Sequence, residues 1–247
     1  MGIGLMPPVA RAEDAALVAA AADLKFAVQE IADAFTAETG KGVKLAFGST
    51  GNFARQIREG APFELFMAAD EAFILDLAKD GFLRDEGTLY AEGRIVIMVP
   101  HGSALKADAA LDDLAAGLAD ERVKKFAIAN PEHAPYGMRA EEALRHRGLW
   151  DKVQPALVMG ENVAQAAQFA TSGNAQGGIV AYSLALSPEV SKLGSFALIP
   201  AEWHSPLLQR MALTKNARAG AEAFYAYMQS PKAREIMERY GFVLPGE

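Results

Sequence analysis

The chain has 247 residues, 51% of them hydrophobic and 22% charged, which is enough for one large domain or two smaller ones with real cores. No apolar run approaches the roughly 20 residues that span a bilayer. The net charge of -7 argues against a nucleic-acid groove, because binding a phosphate backbone needs clustered Lys and Arg. The absence of cysteine excludes thiolate catalysis, Cys-ligated zinc and disulfide bonds, and leaves both cytoplasmic and periplasmic locations open.

The N-terminal stretch 1–14 carries part of an export signal. It lacks a basic n-region, and Pro7 and Pro8 interrupt its apolar part, but ARA at 10–12 fits an A-x-A cleavage pattern. We expect this stretch to be a signal-peptide remnant or a disordered tail. The mature protein is then exported and periplasmic, with most of the signal peptide absent from the sequence.

From residue 15 onward, short β-rich runs alternate with amphipathic helical stretches, a pattern typical of parallel sheets covered by helices. Strands are predicted at 16–21, 43–48, 64–68, 94–99, 125–129, 156–159, 178–181, 196–199 and 209–214. Helices are predicted to begin near Leu24, Asn52, Glu71, Gly137, Val163, Ala217 and Pro231. Nine strands are too many for one small sheet.

Four strand-to-helix junctions carry small or polar residues: AD at 22–23, GSTGN at 48–52, PYG at 135–137 and GENV at 160–163. The first turn of a helix has unpaired NH groups and a partial positive charge, so it attracts anions. In open α/β sheets, ligands bind beyond the carboxyl ends of the strands, where such turns gather. Capping alone explains one junction, but four together predict a site across a cleft.

One long stretch, GSTGNFARQIREGAPFELFMAADE at 48–71, resembles the periplasmic molybdate-binding proteins of ABC importers. The resemblance lies in a Ser/Thr-rich turn, then ARQI, then GAP, then an apolar strand that ends in AAD. It continues in order through AADL at 21–24, NPEHAPYG at 130–137, EEAL at 141–144, GIV at 178–180 and YGF at 240–242. It covers nearly all of the chain after residue 15.

The resemblance implies an α/β fold of two lobes, a periplasmic-binding-protein-like fold in which each lobe is a mostly parallel sheet flanked by helices and crossing strands form a hinge. Lobe one is then 15–91 plus 201–247, lobe two is 92–200, and Pro200 lies near the hinge. The implied function is capture of a tetrahedral oxyanion, molybdate or tungstate, for the membrane subunits of an ABC importer. Such a protein is a monomer with no cofactor and no enzymatic activity.

Carried over position by position, the resemblance also implies the residues that contact the oxyanion. They are Asp23, Thr50, Ala69, Tyr136, Val163 and Ala181, with Tyr182 one position beyond the last. Relatives typically have Ser at position 23, a small residue at 136 and often Tyr at 181. We therefore take Tyr182 in place of Ala181 as the sixth ligand-binding candidate, since its phenolic OH and that of Tyr136 can supply hydrogen-bond donors.

Asp23 makes the identity of the ligand an open question. An ionised carboxylate only accepts hydrogen bonds, and at about 4 Å and an effective dielectric near 20 each pair of like unit charges costs on the order of 4 kcal/mol. Asp23 could cap its helix while its backbone NH meets molybdate or tungstate. It could instead accept a proton from an oxyanion such as hydrogen phosphate or arsenate, or it could meet a cation or a ligand hydroxyl. Lys25, Arg55, His133 and Arg139 are candidates to compensate charge.

Other chemistries find little support in the sequence. SALK at 103–106 matches the S-x-x-K pattern of serine acyl enzymes but lacks the S-D-N and K-T-G partners. The four histidines are scattered without metal-ligand spacing, and acidic pairs such as Asp112 and Asp113 lie among helix-forming residues. We predict no catalytic or metal site. The alternative to an oxyanion-binding protein is a binding module for a metal ion or a small hydroxylated organic ligand, held by Asp23 and the tyrosines.

Overall fold

The computed structural model describes residues 15–246. The predicted N-terminal remnant at 1–14 lies outside the described residues, as does residue 247. No helix in the described part is long and apolar enough to cross a membrane.

Ten strands and ten α-helices build residues 15–246. The strands are β1 Ala16–Ala21, β2 Val43–Gly48, β3 Leu65–Ala68, β4 Thr88–Gly93, β5 Ile95–Pro100, β6 Phe126–Ala129, β7 Leu157–Gly160, β8 Gly177–Ala181, β9 Gly194–Leu198 and β10 Leu207–Leu213. The helices are α1 Lys25–Thr39, α2 Thr50–Arg58, α3 Glu71–Lys79, α4 Asp112–Ala119, α5 Pro135–His146, α6 Trp150–Val153, α7 Val163–Thr171, α8 Tyr182–Leu186, α9 Ala219–Tyr227 and α10 Pro231–Arg239. A 3₁₀ turn, Ala22–Leu24, joins β1 to α1.

The strands form two five-stranded sheets, in the orders β2-β1-β3-β10-β4 and β7-β6-β8-β5-β9. In the first, β1 is parallel to β2 and β3, while β10 lies antiparallel between β3 and β4. In the second, β6 is parallel to β7 and β8, while β5 lies antiparallel between β8 and β9. We call the part built on the first sheet lobe one and the part built on the second lobe two. The predicted two-lobe α/β fold is confirmed, and each sheet is mixed, with one strand, β10 or β5, antiparallel to its neighbours.

The chain crosses between the lobes twice. The first crossing is at Arg94, directly between β4 and β5, and the return runs from the end of β9 to the start of β10. Pro200 lies in that return, ahead of the short 3₁₀ turn Ala201–Trp203. The central strands β1 and β6 read ALVAAA and FAIA and are almost wholly buried, as expected of parallel strands covered on both faces.

The nine predicted strands all correspond to observed ones, with ends that differ by at most two residues. The prediction missed β4, whose sequence TLYAEG has little apolar periodicity and is ordered by pairing with β10. It also missed three helices of eight residues or fewer, α4, α6 and α8. Elements this short depend on tertiary packing rather than on local propensity.

Candidate functional site

The four strand-to-helix junctions predicted from sequence meet around one small cavity between the lobes, about 10 Å³ in volume. Its lining residues are Ala21, Ala22, Asp23, Gly48, Ser49, Thr50 and Ala69 from lobe one and Ala134, Pro135, Tyr136, Asn162 and Val163 from lobe two. The carboxyl ends of β1, β2 and β3 supply the first group and those of β6 and β7 the second. The cavity therefore lies where open α/β sheets bind ligands.

Five of the six predicted contact residues line this cavity: Asp23, Thr50, Ala69, Tyr136 and Val163. Tyr182 does not. Its ring packs edge-on against Phe196 at 5.8 Å, and a Cβ placed on Gly241 would lie 2.6 Å from it. The Tyr182 side chain, at the start of α8, therefore packs between Phe196 and the C-terminal segment and does not line the cavity. Ala181 is buried at the end of β8 and does not line the cavity either.

Three backbone NH groups at this cavity, those of Thr50, Tyr136 and Val163, have no acceptor within residues 15–246. Each belongs to the first turn of its helix, where the geometry leaves NH groups without an intrahelical partner. At α7 the N-cap Asn162 side chain accepts from the NH groups of Ala164 and Gln165, which leaves that of Val163 available. Both lobes thus present NH donors to the same space.

Thr50 adds a side-chain donor. Its Oγ1 accepts a hydrogen bond from the Ala69 NH at 3.0 Å, and the Thr50 side chain is buried. The Ala69 NH, predicted to face the ligand, is therefore already bonded to Thr50. With one lone pair of Oγ1 occupied, the hydroxyl hydrogen of Thr50 remains available to an acceptor in the cavity.

Asp23 is only 1% exposed, and its two carboxylate oxygens have different surroundings. Oδ2 accepts from the Gln209 side-chain amide at 2.7 Å and from the Tyr136 hydroxyl at 3.0 Å. Oδ1 has no hydrogen-bond partner among the described residues. The main-chain oxygen of Asp23 accepts from the Ser183 hydroxyl at 2.8 Å, so lobe two contacts this residue twice.

The partners of Asp23 are themselves held in place. The Tyr90 hydroxyl donates to Gln209 Oε1 at 2.9 Å, which leaves the Gln209 amide nitrogen toward Asp23. Gly93, at the first crossing between lobes, makes room for Tyr136, because a Cβ there would lie 2.3 Å from the Tyr136 hydroxyl oxygen. Sequence reasoning missed Gln209, and the signal for it is the polar pair Gln209 and Arg210 within the apolar residues of strand β10, where Gln209 is fully buried.

Burial dominates the electrostatics of the site. Desolvation raises the pKa of Asp23 from 3.8 to about 6, although the hydrogen bonds from Gln209 and Tyr136 favour the ionised form. Burial, together with the nearby Asp23 charge, also raises the pKa of both Tyr90 and Tyr136 well above 10. The cavity lining contains no Lys or Arg, so an anion there meets backbone and hydroxyl dipoles rather than a counter-ion.

The four residues proposed to compensate charge do not line the cavity. Lys25 and Arg55 are exposed. Arg139 bonds Asp70 and Glu142, both at 2.6 Å. His133 bonds the Ser49 hydroxyl through Nδ1 at 2.9 Å, beside the cavity wall.

Several further contacts join the lobes around the cavity mouth. The Gly51 NH donates to the His133 carbonyl at 2.9 Å, the Asn52 amide bonds Glu161, and Arg139 of lobe two pairs with Asp70 of lobe one. These contacts hold the lobes together. The structure is a closed form.

Two lobes that close over a small cavity lined by helix N-termini define a solute-binding protein of the two-lobe class. The chain belongs to the family of bacterial extracellular solute-binding proteins, whose sequence pattern matches residues 16–243. The resemblance recognised in the sequence is confirmed.

Individual relatives agree with this assignment over almost the whole chain. The molybdate-binding protein ModA of Rhodobacter capsulatus is 36% identical over 245 residues, 98% of this chain and 92% of that one. ModA of Escherichia coli is 34% identical over 230 residues, 92% of this chain and 88% of that one. The structure of the Azotobacter vinelandii periplasmic molybdate-binding protein aligns with a TM-score of 0.83 at 32% identity, covering 93% of this chain and 99% of that one.

Proposed function

We propose that this protein captures a tetrahedral oxyanion, molybdate or tungstate, and delivers it to the membrane subunits of an ABC importer. It acts outside the cytoplasm, as a monomer and without chemical conversion of the ligand. The names of its relatives, which are molybdate-binding proteins and in one case an ABC transporter substrate-binding lipoprotein, support the ligand class and the partner.

The observation that carries the proposal is the convergence of unpaired donors from both lobes on one cavity. The NH groups of Thr50, Tyr136 and Val163 and the Thr50 hydroxyl replace the water around an oxyanion, and three of these donors belong to helix N-termini. A ligand that bonds both lobes favours the closed form, since only that form supplies all its contacts. Binding and closure are thus the same event.

A thermal-shift panel of molybdate, tungstate, sulfate, phosphate, arsenate and ferric ion tests the proposal on protein that has been unfolded, stripped of ligand and refolded. Ligand at 100 times its Kd adds about 2.7 kcal/mol, which corresponds to a rise in Tm on the order of 5 to 10 °C for a chain of this size. We expect that rise with molybdate or tungstate. If none of the oxyanions changes Tm, the proposal is wrong.

A single NH group can be removed at position 163. Val163 is the first residue of α7, where proline is tolerated because its missing NH has no intrahelical role. We expect Val163→Pro to weaken oxyanion binding about 10- to 100-fold, the range for a hydrogen bond to a charged group, as measured by isothermal titration calorimetry. Ala219→Pro, at the first position of the distant helix α9, is the matched control and should bind as the parent does.

The second candidate is capture of an oxyanion that carries its own proton, such as hydrogen phosphate or arsenate. The unpartnered Asp23 Oδ1 favours it, because an ionised carboxylate there accepts that hydrogen. A larger Tm rise with phosphate than with molybdate would favour this candidate. A metal-binding role has less support, since residues 15–246 contain no cluster of three or more His, Asp or Glu side chains arranged to hold a metal ion.

A further inference from the structure

Asp23 creates a charge conflict if the proposed function is correct, and this inference depends on that function. A fully deprotonated dianion in the cavity would lie beside a carboxylate that is 1% exposed and has no cationic neighbour in the cavity lining. Two negatively charged groups next to each other in a buried site repel strongly. The conflict disappears if one of the two groups carries a hydrogen.

The hydrogen bonds around Asp23 suit a neutral carboxylic acid. In a neutral acid one oxygen is a carbonyl that accepts hydrogen bonds and the other is a hydroxyl that donates one. Oδ2 already accepts two, from Gln209 and Tyr136, and therefore has the role of the carbonyl oxygen. Oδ1 lacks a protein partner and belongs to a residue that lines the cavity, so the hydroxyl hydrogen has a place there.

We infer that Asp23 is the neutral acid in the ligand-bound protein and donates a hydrogen bond from Oδ1 to an oxyanion oxygen, so that binding takes up a proton. The carboxylate, a solvent proton and the dianion combine into a carboxylic acid hydrogen-bonded to the dianion, and no covalent bond to the ligand forms. Asp23 then supplies a donor that can be switched off by raising the pH.

The proton uptake is measurable only if the Asp23 carboxyl group is ionised before the ligand binds. Burial raises the pKa of Asp23 to about 6, so protonation is accessible near neutral pH. Each pH unit above that value costs about tenfold in affinity, because the binding-competent protonated form becomes tenfold rarer. This loss is smaller than the penalty from placing a carboxylate beside a dianion.

The groups that face Asp23 come from four elements: Tyr90 of β4, Tyr136 of α5, Ser183 of α8 and Gln209 of β10. The titratable ones, Tyr90 and Tyr136, have raised pKa values and stay neutral between pH 6.5 and 8.5. His133 lies beside the cavity wall, on Ser49. A variant that changes only position 23 keeps His133 and so separates its contribution.

The test is isothermal titration calorimetry with molybdate and tungstate from pH 6.5 to 8.5, in two buffers with different heats of ionisation. We expect uptake of about one proton per ligand at pH 8 and a Kd that weakens about tenfold for each pH unit. Asp23→Asn keeps the shape and a donor but cannot ionise, so it should take up no proton at that position and show a flat Kd. Asp23→Ser also supplies a neutral donor, and it tests the inference if Asp23→Asn does not fold.

The outcomes separate this inference from the proposed function. If the parent binds molybdate with a flat Kd and no proton uptake, the inference is wrong and the function stands. If the pH dependence persists unchanged in Asp23→Asn and Asp23→Ser, His133 or another group causes it, and the inference is again wrong. If neither the parent nor the variants bind any oxyanion, the proposed function itself fails.

Discussion

At the scale of single residues, the buried carboxyl group of Asp23 should affect the stability of the ligand-free protein to the extent that it adopts the closed form, in which Tyr136 and Ser183 of lobe two contact Asp23. Its pKa is 3.8 as a free side chain and about 6 in the fold. The stability that depends on a neutral Asp23 is therefore fully present below about pH 4 and is lost as the pH rises through 6. At about 1.4 kcal/mol for each pH unit, the full cost of ionising it in the folded state is about 3 kcal/mol.

We expect Asp23→Asn to gain stability over the parent as the pH rises. The difference in the free energy of unfolding between the two should change by about 2 kcal/mol between pH 4.5 and 8, in favour of the variant. Urea unfolding of the ligand-free proteins at the two pH values measures it. Asp151→Asn, an exposed position on α6, is the control and should show no such change. An equal stability difference at both pH values would contradict the prediction.

At the scale of elements, the N-terminus of α2 contacts lobe two through its backbone. The Gly51 NH donates to the His133 carbonyl oxygen at 2.9 Å, and a Cβ on Gly51 would lie 2.7 Å from that same oxygen. That contact involves backbone and cannot be relieved by a side-chain rotation. Opening the lobes relieves it at once.

We expect Gly51→Ala to weaken ligand binding while leaving the ligand-free fold intact. Overpacking of this kind costs about 1 to 3 kcal/mol, or roughly 5- to 150-fold in Kd, and here the penalty applies to the closed form alone. Within the helix alanine is favoured over glycine, so the ligand-free Tm should not fall. The Kd from calorimetry and the Tm of the ligand-free protein together show whether binding weakens while the fold remains stable. Gly42→Ala, whose Cβ meets only an ordinary contact at 3.7 Å, should change neither, and an unchanged Kd in Gly51→Ala would contradict us.

The junctions could be predicted from sequence because their signals are local. A run of small apolar residues followed by the polar Asp23 and a helical period marks the end of β1 at Ala21, and the same pattern identifies the turn at 48–52. Parallel strands bring such ends to one edge of a sheet, so their convergence follows from the fold class.

The remaining features of the site depend on distant contacts. Gln209 bonds Asp23 across 186 positions of chain, and no local pattern marks that pairing. Strand β4 forms because β10 lies beside it. Tyr182 shows the other limit, because adjacency to Ala181 does not determine which way a side chain turns when a helix begins at that residue.

At the scale of the whole molecule, an ion pair holds the closed lobes together on one side of the cavity. Arg139 of α5 bonds Asp70 of lobe one at 2.6 Å, and its side chain is only 11% exposed. Arg139 also bonds Glu142, whose other oxygen accepts from the Ser205 NH in the return crossing. The pair is thus connected through Glu142 to the return crossing between the lobes.

We expect Arg139→Gln and Asp70→Asn each to weaken oxyanion binding, because opening of the lobes becomes easier when the pair is lost. Asn at position 70 can keep the cap that Asp70 provides to the Ala72 NH, so α3 should remain intact. A double-mutant cycle on the binding free energy should give a coupling of about 1 to 2 kcal/mol. Small-angle scattering of the ligand-free variants should show a larger open fraction than the parent.

The control for closure is an ion pair of similar length that lies within one lobe. Arg58 and Asp80 are 2.9 Å apart, and both belong to lobe one. Removing that pair with Arg58→Gln should leave Kd and the scattering profile unchanged, since an exposed pair contributes little and does not span the cleft. If Arg139→Gln behaves like Arg58→Gln, the lobes are held closed by the ligand and the remaining contacts, and the pair between Arg139 and Asp70 has no part in binding.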